Sequence, residues 1–314
     1  MTRIRLGVNT CFAVKRWTEP ATWTALVADL GVDCCQISFD LVDPALDRDA
    51  TFAYADAVRA GADRAGIELH STFTGLAAYS SNQLLHPIPG MRAAARRWFE
   101  RAIELTAHLG VGGAGGFVGA TTVDDAGDPE RRAARLHEFT GQLRHLADHA
   151  AAHGLDFLMF ENMAVPREFG HCIDEVHELE AELAGTAVPW RLCLDVGHPC
   201  ALHTGTPSDD PIAWLREPWQ QWPVLQVQQA NRDGDFHWPF TEARNAVGLV
   251  DAPAVVRELD AWDGTEDVYV FLEVIHPFEA DDQVVLDEMR ASVAHWRAAL
   301  DDRPIDLQHQ EATR

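Results

Sequence analysis

The chain has little positive charge. Its 314 residues include 25 lysines and arginines against 49 aspartates and glutamates, so the formal net charge is −24 at pH 7. Lys15 is the single lysine. Nucleic-acid binding depends largely on cationic side chains that neutralise phosphates, and a surface this acidic repels phosphates. The charge balance therefore argues against a protein that binds DNA or RNA.

Several kinds of segment are also missing. No apolar run approaches the roughly 18 residues that a membrane span needs. The first residues contain neither the apolar stretch nor the cleavage site of a secretory signal. The six cysteines form no C-x-x-C pair and no zinc-finger spacing, which favours free thiols. We therefore expect a cytoplasmic protein that makes no contact with a membrane.

Sequence motifs of three common enzyme classes are absent. The chain contains no G-x-S-x-G, no H-E-x-x-H and no Walker lysine motif, so it gives no support to a serine hydrolase, a zincin or a P-loop NTPase. Residues 110–115 do match the G-x-G-x-x-G pattern of dinucleotide binders. That pattern requires a strand before it and a helix after it, whereas here a helix precedes it and the run occupies a strand position. We interpret these glycines as a sign of close backbone packing.

Short apolar runs alternate with amphipathic helical stretches along the chain. Strands that are apolar throughout and separated by helices are typical of a parallel sheet buried on both faces. Eight such runs in about 300 residues match a (β/α)8 TIM barrel, with a doubly wound sheet as the alternative. The predicted strands are residues 4–8, 32–38, 67–72, 111–118, 155–160, 190–194, 224–227 and 268–272, and the predicted helices are residues 18–30, 51–65, 91–109, 136–150, 173–183 and 285–300. We expect one catalytic domain over residues 1–300 and a polar C-terminal tail over residues 301–314.

Acidic residues end three of these apolar strands. Glu161, Asp195 and Glu273 follow the fifth, sixth and eighth strands, and a TIM barrel gathers such strand ends around one mouth. Any one acid alone could cap a helix or pair with an arginine, but three buried together repel one another unless a cation joins them. Carboxylate oxygens are hard donors, so Mn²⁺ is the expected metal, with Mg²⁺ and Co²⁺ as alternatives.

Further polar residues at strand ends or in the loops after strands are candidates for binding a substrate. Lys15 and Arg16 lie in the loop after the first strand, where they are placed to meet an anionic group such as a phosphate. His198 comes three residues after Asp195. The candidate substrate-binding residues are Asn9, Lys15, His70, His198, Arg232 and His237.

These residues resemble a known family. Glu161, the stretch from Leu194 to His198 and the Leu272-Glu273 pair resemble the xylose-isomerase-like sugar isomerases and epimerases, and their layout is similar to the ketose 3-epimerases of the D-tagatose 3-epimerase type. Residues 7–16, 70–76 and 235–241 are similar to the branch that acts on tetrulose phosphates. The resemblance implies a small sugar or sugar phosphate as substrate, and a homo-oligomer.

The resemblance also implies a set of metal ligands. Members of the family hold the metal with a glutamate, an aspartate, a histidine and a second glutamate. Glu161, Asp195 and Glu273 match the first, second and fourth of these. The third departs from the pattern, because the seventh strand carries glutamines: Gln226 matches best by its distance to Arg232, and alternation puts Gln228 on the same face. An amide oxygen can bind a hard cation, with weaker affinity as the expected cost.

The chemistry implied by this family is proton transfer beside a carbonyl. A metal that chelates a ketose carbonyl acidifies the adjacent C–H and stabilises the resulting enediolate. Glu161 and Glu273 would be the catalytic acid and base, while His198 and Arg232 would bind the polarised oxygens. We therefore expect a metal-dependent epimerase or isomerase that acts on a ketose or a short ketose phosphate.

Other functions on the same scaffold remain as alternatives. One is a lyase, either similar to inosose dehydratases or a subunit of a C-glycoside deglycosidase. Another is a sugar-binding barrel that has lost catalysis through the glutamine at the third ligand position. An endonuclease-IV-like nuclease, with its histidine-rich zinc site and basic DNA face, is disfavoured by the charge of −24 and by the glutamine-rich seventh strand.

Overall fold

Eight parallel strands close into a barrel in the computed structural model, which describes residues 3–221, 223–262 and 266–302. Neighbouring strands follow chain order, and the last barrel strand pairs with the first. The barrel strands are β1 Ile4–Asn9, β2 Cys34–Ser38, β3 Glu68–Phe73, β4 Gly113–Gly116, β5 Phe157–Glu161, β6 Trp190–Asp195, β7 Val224–Val227 and β10 Val268–Leu272. The predicted TIM barrel is therefore confirmed, and the doubly wound sheet is excluded.

A short antiparallel hairpin, made of β8 Gln229–Asn231 and β9 Gly234–Trp238, follows the seventh barrel strand. Helices separate the barrel strands and cover the outside of the barrel. They are α1 Pro20–Asp29, α2 Arg48–Ala65, α3 Pro89–Leu109, α4 Val123–Gly127, α5 Pro129–Ala152, α6 Ile173–Glu182, α7 Pro211–Arg216, α8 Glu242–Asn245, α9 Ala252–Asp260 and α10 Asp282–Asp301. Among the described helices, none has the length and apolar character that a membrane crossing requires.

The helices begin and end at residues suited to those positions. The side chain of Asp47 accepts a hydrogen bond from the backbone N–H of Ala50 at the start of α2, and Gly66 ends that helix with a left-handed conformation. Asp128 caps α5 in the same way, and Pro129 occupies its first turn. These capping residues extend α2 and α5 several residues ahead of the hydrophobic patterns from which they were predicted.

The glycine-rich fourth strand confirms close backbone packing. A Cβ on Gly113 would lie 2.1 Å from the ring of Phe157, and one on Gly115 would lie 2.0 Å from the carbonyl oxygen of Met159. Because β4 approaches β5 this closely, the glycines serve the barrel wall. They do not form a dinucleotide-binding turn.

Two apolar layers surround the strands. Side chains such as Phe157, Met159 and Phe271 fill the inside of the barrel, while Trp23 and Trp214 lie in the larger layer between strands and helices. The inner layer occupies the lower and middle part of the barrel, so polar groups line its C-terminal mouth. The division into one domain over residues 1–300 and a tail over 301–314 stays a prediction, and residues 303–314 lie outside those that the structure describes.

Candidate active site

Three carboxylates meet at the C-terminal mouth of the barrel. Glu161 is the last residue of β5, Asp195 is the last residue of β6, and Glu273 directly follows β10. Each offers one oxygen, and these three oxygens lie within 4.8 Å of one another. All three residues are buried. The structure therefore brings together the acids that the strand pattern places at one mouth.

Each carboxylate has one oxygen that accepts a hydrogen bond and one oxygen that accepts none but lies 3.6–3.8 Å from a nitrogen of His198 or His237. Glu161 Oε1, Asp195 Oδ2 and Glu273 Oε2 are buried and have no hydrogen-bond donor among the described residues. The Tyr79 hydroxyl donates to the second oxygen of Glu161, and the backbone N–H of Gly197 donates to Asp195 Oδ1 at 2.6 Å. Buried anionic oxygens that accept no hydrogen bond are costly unless a cation binds them. The donor set therefore fits a divalent cation.

The amide groups of two buried residues hold the second oxygen of Glu273. Asn9 Nδ2 and Gln226 Nε2 donate to Glu273 Oε1 at 3.1 and 3.0 Å. Both amides also donate to Gln36 Oε1 at 2.8 Å. This network leaves Glu273 Oε2 facing the other two acids.

Burial dominates the electrostatics of the three acids. It raises the pKa of Glu161 to about 8 and that of Glu273 well above its ordinary value, and the pKa of Asp195 is raised as well. Repulsion from Asp195 adds to the shift of Glu161, and repulsion from Glu161 and Asp195 adds to that of Glu273. For Asp195 the repulsion comes from Asp235, and His198 and His237 oppose the shift of all three acids. A divalent cation would offset both contributions, because it stabilises the ionised carboxylates.

The structure distinguishes between the two glutamines at the end of the seventh barrel strand. The Oε1 of Gln226 accepts a hydrogen bond from Cys193 Sγ at 3.2 Å, so both ends of its amide are engaged inside the barrel. Gln228 donates from Nε2 to Asp235, while its Oε1 is buried without a partner in the described part of the chain. Of the two amide oxygens, that of Gln226, the residue first expected as a ligand, is already engaged, and that of Gln228 accepts no hydrogen bond within the described residues.

Two histidines flank an aspartate beside the carboxylates. His198 Nε2 and His237 Nε2 each lie 3.2 Å from Asp235 Oδ2. His198 Nδ1 donates to the carbonyl of Asn162 at 2.6 Å, which fixes the orientation of its ring. Burial alone lowers the pKa of both imidazoles, but the nearby acids outweigh it and raise the pKa of His198 well above its ordinary value and that of His237 to about 10. Asp195, His198 and His237 form a second group whose ligand atoms lie within 4.8 Å of one another.

A cavity of about 230 Å³ opens beside these groups. Its polar wall includes Tyr79, Asp235, His237 and Glu273, and its apolar wall includes Phe73 and Ile275. A cavity that combines a few converging polar groups with apolar walls is typical of a binding site for a small molecule.

Three of the expected substrate-binding residues lie away from the carboxylates. His70 lies at the N-terminal end of the barrel, where its ring centroid is 4.0 Å from that of Tyr269. This position corrects the expectation that His70 contacts a substrate at the mouth. Arg232 is exposed and donates to the carbonyl of Leu202 at 3.1 Å. Lys15 is exposed, and its Nζ lies 3.8 Å from the centre of the Phe278 ring.

Two polar residues of the site were missed by the sequence reasoning. Tyr79 lies in a short 3-10 segment after β3, and Asp235 lies on β9. Neither residue ends an apolar strand, the pattern that predicted the three carboxylates. The spacing of Asp235 and His237, two residues apart and therefore on one face of a strand, is the signal that could have found the aspartate.

Comparisons with known proteins identify the family. A family model described as xylose isomerase-like TIM barrel matches residues 24–295. D-erythrulose 1-phosphate 3-epimerase of Brucella abortus (strain 2308) is 28% identical over 309 residues, which are 97% of this chain and 99% of that protein.

Solved structures are similar over nearly the whole chain. A protein provisionally named a xylose isomerase, from Rhodospirillum rubrum ATCC 11170, is 33% identical with a TM-score of 0.88, covering 94% of this chain and 99% of that one. D-psicose 3-epimerase from Clostridium cellulolyticum H10 is 16% identical with a TM-score of 0.67, covering 95% and 99%, which shows a shared fold. The chain therefore belongs to the xylose isomerase-like TIM barrel family.

Proposed function

We propose that this protein is a divalent-metal-dependent 3-epimerase of a short ketose phosphate. The observation that carries the proposal is the pair of glutamates at the mouth of the barrel. Glu161 ends β5 and Glu273 follows β10, and β6 and β7 lie between these two strands in the barrel. One oxygen of each glutamate lies within 4.8 Å of the other. Epimerisation needs one group that removes a proton from carbon and a second group that returns a proton to the other face.

Protein contacts prepare both glutamates for this role. Tyr79 holds one oxygen of Glu161, while Asn9 and Gln226 hold one oxygen of Glu273. These hydrogen bonds fix the direction of both carboxylates. Such fixed geometry favours proton transfer, because little motion is needed to reach the reacting atom.

The acids Glu161, Asp195 and Glu273 would hold the divalent cation, with Gln228 as a candidate fourth ligand. When bound, the cation would polarise the ketose carbonyl and acidify the neighbouring C–H. His198 and His237 would donate hydrogen bonds to substrate oxygens from the side of Asp235. Manganese, the cytoplasmic location and the homo-oligomer all stay predictions.

The substrate class rests on the relative and on the rim of the cavity. The relative from Brucella abortus is named for a four-carbon ketose phosphate and aligns along almost the whole chain. Cys11 and Ile275 line the cavity. Lys15 comes shortly after Cys11 in the chain, and Phe278, whose ring Lys15 contacts, comes shortly after Ile275. A lysine at this rim is suited to a phosphate, because an ammonium group is a compact phosphate-binding charge.

The test is incubation of the protein in D₂O with tetrulose phosphates and with C4 to C6 ketoses, with Mn²⁺, Mg²⁺ or Co²⁺. We expect intact sugar that is inverted and deuterated at C3. The changes Glu161→Gln and Glu273→Gln should each lower the rate by about 10²- to 10⁴-fold, the usual contribution of a general acid or base.

Two other results would contradict the proposal. A dehydrated or unsaturated product would indicate a lyase. Binding of the sugar without any exchange of deuterium, whichever metal is present, would indicate a barrel that binds sugars without catalysis.

The role of Lys15 can be tested separately. The change Lys15→Met should raise KM for the phosphorylated ketose about tenfold or more, since a hydrogen bond to a charged group contributes about 1.5–3 kcal/mol. The KM for the unphosphorylated ketose should not change. An equal effect on both sugars would place the phosphate elsewhere.

A further inference from the structure

A row of histidines on α5 faces two glutamates on α3, on the outside of the barrel. His145, His149 and His153 follow one another at intervals of four residues, so they share one side of the helix and its C-terminal end. His145 Nε2 lies 2.7 Å from Glu100 Oε1, an oxygen that also pairs with Arg96. The other two histidines face Glu104.

Glu104, His149 and His153 have the arrangement of a metal site. Each offers one ligand atom, and the three atoms lie within 4.8 Å of one another. The Nε2 atom of His149 is buried, makes no hydrogen bond of good geometry within the described residues, and lies 3.7 Å from Glu104 Oε1, with the backbone of Glu100 also nearby. A buried ring nitrogen without such a hydrogen bond is costly, and a metal ion satisfies it.

The surroundings prepare these side chains for a cation. His153 Nδ1 donates to the backbone carbonyl of His149 at 2.8 Å, and such a bond from the second ring nitrogen typically orients a histidine that binds a metal. The C-terminal end of α5 also carries the negative pole of the helix dipole.

We propose that Glu104, His149 and His153 form a second metal site, which takes a zinc-like divalent ion with water in the remaining position. Two histidines and one glutamate are a familiar ligand set for Zn²⁺, whereas the acids at the barrel mouth suit harder ions. The ion would join α3 to α5 near the N-terminal ends of the strands, at the opposite end of the barrel from the candidate active site. It would therefore stabilise the protein without taking part in epimerisation.

The experiment measures zinc binding by calorimetry to the metal-free full chain that carries Asp195→Asn, a change that weakens binding at the barrel mouth. We expect one equivalent of Zn²⁺ to bind. Adding His149→Gln or His153→Gln should weaken this binding at least tenfold. The matched control is His145→Gln, on the same face of the same helix, which should leave zinc affinity unchanged because His145 already pairs with Glu100.

Circular dichroism of each variant establishes that the fold is kept, and the Mn²⁺-supported activity of His149→Gln in the otherwise unchanged chain should equal that of the unchanged protein. Equal zinc affinity with and without His149→Gln would overturn the proposal, as would an equal loss in His145→Gln. The proposed function does not depend on this site, so either can fail alone.

Discussion

Tyr79 is placed to control the direction of Glu161. Its hydroxyl donates to one carboxylate oxygen, and its ring stacks on Phe117 with centroids 4.7 Å apart. The change Tyr79→Phe keeps the ring and removes the hydrogen bond. We expect kcat for epimerisation to fall about tenfold or more while KM changes little, because a misdirected base loses rate before it loses substrate binding.

The matched control for this prediction is Tyr54→Phe. The Tyr54 hydroxyl donates to the carbonyl of Thr18 at 3.0 Å, away from the site, so its removal should leave kcat unchanged. If both variants kept full kcat, Tyr79 would have no part in positioning Glu161.

His70 should make the protein less stable in acid. Burial chiefly, with Arg191 and Arg5 adding to it, lowers the pKa of His70 to about 3, whereas the unfolded chain binds a proton near pH 6.5. Between these values only the unfolded state is protonated, so stability falls as pH falls, by at most about 1.4 kcal/mol per pH unit. Urea unfolding of His70→Phe should show a weaker loss between pH 6.5 and pH 4.5. Parallel curves for the two proteins would contradict this origin of acid sensitivity.

The acids of the candidate site could be predicted because each ends an apolar strand, and a TIM barrel gathers strand ends at one mouth. The height of a residue inside the barrel could not be predicted. His70 lies beside a register shift between β2 and β3, at Cys35 and Gln36, and faces aromatic rings at the other end. Asp235 reaches the site because the hairpin folds over the mouth, and its spacing from His237 indicates only that the two share one face of a strand.

Among the strands, β4 depends on glycine most directly. A Cβ at position 113 would lie 2.1 Å from the buried ring of Phe157, so the change Gly113→Ala forces the ring or the strand to move. We expect a loss of about 1–3 kcal/mol in the free energy of unfolding, the usual effect of overpacking. Chemical denaturation measures this loss.

The control for that substitution is Gly141→Ala, within the exposed face of α5, where an added Cβ meets no atom within 4 Å among the described residues. It should stabilise the protein by about 0.5–1 kcal/mol, since alanine is the better helix former. A stabilising effect of alanine at both positions would mean that the barrel wall tolerates a side chain at β4.

The elements that form the barrel wall were predictable because they are apolar and regularly spaced. Those near the mouth were not. The hairpin of β8 and β9 turns at Arg232 and Asp233, and Gly234 begins β9; the Asp-Gly pair is a local turn signal, although neither strand is an apolar run. Helix α7 spans six residues and α9 spans nine, too short for a clear repeat of apolar positions.

At the scale of the whole chain, the three acids at the barrel mouth should lower the stability of the metal-free protein and raise it once a metal ion binds. Folding raises the pKa of Asp195, chiefly through burial, so its ionised form at neutral pH costs folding free energy. Without metal, Asp195→Asn should therefore melt at or above the temperature of the unchanged protein. Mn²⁺ at a hundredfold excess over Kd should stabilise the unchanged protein by about 2.7 kcal/mol and have little effect on the variant.

A chelator should reverse this gain in stability. The matched control Asp56→Asn, at a surface ion pair with Arg59, should keep the gain. An equal Mn²⁺ response in Asp195→Asn would show that the ion binds elsewhere.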